Sequence, residues 1–154
     1  MCVRSSLNLS IAAMLFAICA PGAGLAQQPS VDGAYRGDLV CEHLPGTGGI
    51  LRAPLDIMVA GTAVLAARPV FNRDGSLVVG SEIMSGTLNS DGKVHLTSNW
   101  IAVGASFKGT YDGTITGSGG TLTGTQVWTR SPTNGGNASR ACYGAYVKGP
   151  MPEQ

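Results

Sequence analysis

Asn89-Ser90-Asp91-Gly92-Lys93-Val94-His95-Leu96-Thr97-Ser98-Asn99-Trp100 carries the pattern that decides the fold. Asp91-Gly92 supplies the backbone freedom a hairpin connector needs. The residues after it alternate: Val94, Leu96 and Trp100 on one side, Lys93, His95, Thr97 and Asn99 on the other. A period of two marks a strand with one buried face.

The same pattern recurs in both directions. Asn72-Arg73-Asp74-Gly75 is a second connector of this kind. Eight strands are expected, over 35–41, 52–59, 63–71, 77–88, 93–100, 106–116, 121–130 and 142–147. Tyr35, Leu39 and Cys41 share one face, as do Ala53, Leu55, Ile57 and Val59, and as do Phe107, Tyr111 and Ile115. The run of alanines weakens the third strand, where a helical turn is the alternative. A change of phase near Gly80 suggests a bulge, which would turn Glu82 inward. Asp112-Gly113 could split the sixth strand; a single strand is preferred because Gly117-Ser118-Gly119-Gly120 is the stronger turn. No segment keeps an apolar stripe at helical spacing, and short strands with glycine-bearing turns mean an all-β domain.

Residues 1–26 read as a secretory signal peptide. Arg4 gives a positive start, Ile11 to Ile18 an apolar run, and Gly24-Leu25-Ala26 small residues at both positions before the cut. Ile18 before Cys19 argues against a lipid-modified cysteine. The remainder, 27–154, is about 128 residues, one secreted β domain by length. It is expected to be periplasmic or secreted, in an oxidising compartment. Processing removes Cys2 and Cys19, so Cys41 and Cys142 have only each other.

That pairing bears on topology. Cys41 ends the first strand and Cys142 begins the last, and an antiparallel neighbour puts an end beside a start. The sheet then closes as an up-and-down barrel, without exposed edges. A β-sandwich, with the disulfide joining facing sheets, is the alternative.

Composition excludes several functions. Without Arg4, nine basic side chains balance nine acidic ones and no basic run exists, so nucleic-acid binding has no charge to drive it. No second apolar run approaches the length of a spanning helix, so no stable membrane insertion is expected after cleavage. No His-x-His, Cys-x-x-Cys or Gly-x-Ser-x-Gly occurs, so neither a metal site nor a nucleophile elbow is expected, and no cofactor. Asp56 and Asp112 fall on outward faces, which leaves Glu82 alone as an inward carboxylate, short of the pair a glycosidase needs.

What remains is a set of inward rings, Tyr35, Trp100, Phe107, Tyr111, Trp128 and Tyr146, with Gln126 among them. They either fill the barrel or line a pocket. The expected protein is a non-catalytic binding protein for a small molecule, a glycan or an exported protein, with Tyr35, Trp100, Tyr111, Gln126 and Trp128 as candidate ligand contacts. One alternative is a secreted enzyme inhibitor presenting the loop 45–49 or 131–140. Another is a small hydrolase using His43 or His95 with an inward carboxylate.

Overall fold

The computed structural model describes residues 30–44, 50–72, 76–130 and 136–150. The expected signal peptide and the loop 45–49 lie outside the described residues, as does 131–135 of the second expected loop. The chain forms β1 (Gly33–Cys41), β2 (Leu51–Ala60), β3 (Ala63–Phe71), β4 (Val78–Leu88), β5 (Lys93–Ala102), β6 (Ala105–Ile115), β7 (Gly119–Arg130) and β8 (Ala138–Lys148). Each strand pairs antiparallel with the next and β8 pairs with β1, closing an eight-stranded up-and-down barrel. Cys41 and Cys142 are directly opposed across that last seam and bonded, with Cα atoms 4.0 Å apart. The barrel therefore holds and the sandwich alternative does not.

The alanine-rich segment is strand β3 over the expected residues, because alternate residues Val64, Ala66, Arg68 and Val70 all find the interior, and the helical-turn alternative falls. Two expectations need correcting. Gly119 and Gly120 belong to β7 rather than to a turn; Thr116 tightens the connection, its amide and hydroxyl both donating to the Gly119 carbonyl (2.8 and 2.7 Å). Strand β8 starts at Ala138, four positions before Cys142, since Ala138, Ser139 and Arg140 pair with Trp128, Val127 and Gln126. The bulge near Gly80 is present, between Val70 and Phe71 against Gly80 and Val78. The sixth strand runs unbroken through Asp112-Gly113.

Register stacks the interior in rows. At the end carrying the β1–β2, β3–β4, β5–β6 and β7–β8 connections, Trp100, Phe107, Trp128 and Ala138 lie abreast on successive strands. One inward step below, Ser98, Gly109, Gln126 and Arg140 lie abreast; below those come Leu96, Tyr111, Gly124 and Cys142. An apolar core with Leu39, Leu55, Ile57, Met84, Leu122 and Tyr146 fills the rest. Gly109 and Gly124 in these rows leave room for the Tyr111 ring, the kind of size matching a small barrel requires.

The wall is not uniformly zipped. β2 and β3 pair only over Asp56–Ala60 with Ala63–Ala67, and β4 and β5 only over Met84–Leu88 with Val94–Ser98. Sequence explains the first gap. Continuing the register sets Pro54 opposite Pro69, on a rung where both amides would cross to the partner strand. Neither residue has an N–H to give. The upper half of the β3–β4 hairpin, Arg68–Phe71 with Val78–Ser81 and Glu82, is therefore paired to itself and to neither neighbour.

Candidate functional site

Beneath the ring row lies a polar belt to which six successive strands each give one side chain: the buried Arg68, Glu82, Ser98, Tyr111 and Gln126 and the half-buried Arg140. Arg68 and Glu82 are register partners in the hairpin and form a fully buried ion pair, Nε to Oε2 at 2.6 Å. Glu82 Oε2 also accepts from Gln126 Nε2 (3.0 Å), while Oε1 accepts from Ser98 Oγ (2.5 Å) and Tyr111 Oη (2.8 Å). Four donors thus fill the acceptor sites of one carboxylate. Gln126 Nε2 lies 2.9 Å from Tyr111 Oη, and its Oε1 accepts from Arg140 Nε at 2.7 Å.

Gly109 makes this convergence possible. A Cβ there would fall 2.4 Å from Ser98 Oγ, 2.6 Å from Tyr111 Cε2 and 2.9 Å from Glu82 Oε1. The bare backbone lets the Tyr111 ring lean up a row and reach the carboxylate. Burial and the neighbouring Glu82 charge hold the Tyr111 phenol well above its ordinary range. Burial, then repulsion from Arg68, lowers Arg140 to about 10.

Above the belt the rings interlock. Trp100 stacks on Phe107 with centroids 5.4 Å apart, and Phe107 meets Trp128 at 4.6 Å. The belt reaches up to them: the Arg68 guanidinium sits 5.9 Å from the Phe107 centroid and that of Arg140 5.5 Å from Trp128. Such contacts are worth about 0.5–2 kcal/mol each, most where water is excluded. The rim at this end exposes Ile50, Leu77, Val78, Val79, Ile101 and Val103.

Among the described residues, two buried donors in this region have no partner: Arg68 Nη2 and Trp128 Nε1. The opposite end differs. There the Tyr35 hydroxyl lies within reach of the Val31 and Thr116 carbonyls (2.5 and 2.9 Å), and Tyr146 donates to Thr114 O (2.7 Å). Burial raises both phenols above their ordinary value.

The five candidate contacts are all buried, but they occupy three levels. Trp100 and Trp128 belong to the ring row, Tyr111 and Gln126 to the belt, and Tyr35 to the far core, where it packs edge-on against Tyr146 at 6.0 Å. Sequence reasoning missed Arg68 and Arg140. Arg68 shares the parity of Val64, Ala66 and Val70, a usable signal once β3 is a strand. Arg140 shares the parity of Cys142 and Tyr146 but was assigned to a loop.

The histidines are not brought to Glu82. His43 is exposed beyond β1. His95 is on the outer wall, with Nδ1 2.7 Å from Asp112 Oδ1 in an exposed cross-strand pair. Asp56 is also outside, beside Arg36. Among the described residues, no group of three or more His, Cys, Asp or Glu is placed to hold a metal ion. On the outer wall, Asp56, Met58, Leu65 and Ala67 border an open apolar depression of about 160 Å³. The disulfide fits an oxidising compartment. Compared with known protein families, curated proteins and solved structures, the chain matches none.

Proposed function

We propose that this chain is an exported, periplasmic or secreted, non-catalytic binding protein that takes a small, planar, largely apolar molecule at the loop end of its barrel. The observation that carries the reading is the contrast between the two ends. At the far end every buried phenol meets a main-chain carbonyl, as a finished core demands. At the end with the Trp100, Phe107 and Trp128 cluster, two buried donors, Trp128 Nε1 in the cluster and Arg68 Nη2 below it, are answered by no described residue. An unanswered buried donor costs about 1–3 kcal/mol, more when charged. Native chains retain that cost mainly where a ligand or solvent offsets it. The apolar rim suits passage of such a molecule. Glu82, with its acceptor sites filled from within, supports a structural role over proton transfer.

Both tryptophans of the chain lie in this cluster, so their indole N–H resonances report on it alone. Titration with neutral 2-naphthamide is expected to move both indole signals and leave the amides of Val94 and Leu122, at the far end, in place. Indole signals that stay fixed up to the solubility limits of both 2-naphthamide and its acid, 2-naphthoate, overturn the reading.

A further inference from the structure

We propose that the ligand carries a carboxylate, and that Arg68 Nη2 and Trp128 Nε1 receive it. This rests on the binding reading above and specifies the ligand's chemistry. The charge balance comes first. Among the described side chains the belt holds two guanidinium groups, Arg68 and Arg140, and one carboxylate, Glu82. Glu82 neutralises Arg68, and Arg140 bonds only to the neutral amide of Gln126 among the described partners. One positive charge, that of the half-buried Arg140, is left over beside the rings, its guanidinium 5.5 Å from the Trp128 centroid, where an anion is favoured.

Donor geometry comes second. Arg68 is 2 % exposed and Trp128 4 %. Arg68 spends Nε on Glu82 and Nη1 on the Pro69 carbonyl (3.2 Å), which leaves Nη2 as its unused edge. A guanidinium N–H and an indole N–H are both pure donors, so the missing partner is an acceptor. A carboxylate is the acceptor that also cancels the surplus charge, and charge-assisted bonds are about twice as strong as neutral ones. The body of such a ligand would lie against the Trp100, Phe107 and Trp128 rings, which suits an aromatic acid.

Access comes third. Arg68 and Glu82 sit where the β3–β4 hairpin loses its rungs to β2 and β5. The wall beside the free Nη2 is therefore the part that can yield without breaking inter-strand bonds.

The test compares 2-naphthoate with 2-naphthamide, which share a skeleton and differ in charge, by the same indole titration. The acid is expected to bind at least about tenfold more tightly. The preference should fall severalfold in Trp128→Phe, which removes one donor and keeps a ring. It should fall likewise in Arg68→Met/Glu82→Gln, which removes the charge pair together but leaves Arg140, and a preference unchanged in both variants overturns the assignment to these two donors. Should the double variant not fold, the wild-type ratio and Trp128→Phe decide. Equal affinities for acid and amide overturn the carboxylate assignment and leave the binding reading intact. Failure of both probes to bind overturns the two together.

Discussion

At the scale of single residues, Glu82 is the group on which the interior is arranged. It collects Arg68, Ser98, Tyr111 and Gln126 from four other strands. Removing it strands a buried guanidinium and three further donors. Glu82→Leu should therefore cost about 3–5 kcal/mol, since breaking a buried pair from one side leaves an uncompensated charge. Urea denaturation measures this, and a loss within the ±0.5 kcal/mol typical of surface changes would contradict it. Much of this belt was legible. The phase shift at Gly80 already turned Glu82 inward, and alternation placed Tyr111 and Gln126 on the inner face. Height along the barrel axis was not legible. Alternation says in or out, but only inter-strand register says which row, so Tyr35 was grouped with rings that lie at the other end.

At the scale of elements, the β3–β4 hairpin is the exceptional piece of wall. Pro54 facing Pro69 is a sequence feature, yet it has meaning only after the β2–β3 register is known. The same holds for Arg140, whose membership of β8 depends on pairing with Gln126 rather than on local propensity. The hairpin's looseness has a direct consequence. In β4, the amides of Ser85 and Ile83 both point toward β5, but pairing there stops at Met84 with Ser98. Ser85 lies within the ladder, opposite Thr97, and Ile83 lies beyond it. Amide hydrogen exchange at Ile83 should be at least about tenfold faster than at Ser85, the difference expected of local opening without partner bonds. Equal protection at the two sites would mean that the hairpin is held as firmly as its neighbours.

At the scale of the whole molecule, one covalent bond seals the barrel. Cys41 and Cys142 are 101 residues apart in sequence and opposed across the β1–β8 seam. In the chain-entropy picture, closing a loop of that size is worth about 4–5 kcal/mol, a large share of the 5–15 kcal/mol typical of a domain. Cys41→Ser/Cys142→Ser should lower the unfolding free energy read from urea denaturation by that amount, with a lower midpoint, while far-UV circular dichroism keeps its strand signature in water. An unchanged midpoint would show that β1 and β8 hold each other without the bond. Closure was legible because two cysteines at opposite ends of a β chain have few ways to meet. The function of the interior was less so, because a filled barrel and an occupied one share the same alternation. They differ only in whether the buried donors are answered. A high-resolution crystal structure of the protein grown with 2-naphthoate resolves this most directly. The ring system is expected against Trp100 and Trp128 with its carboxylate on Arg68 Nη2; ordered water alone on that nitrogen, with the probe elsewhere or absent, would contradict this assignment.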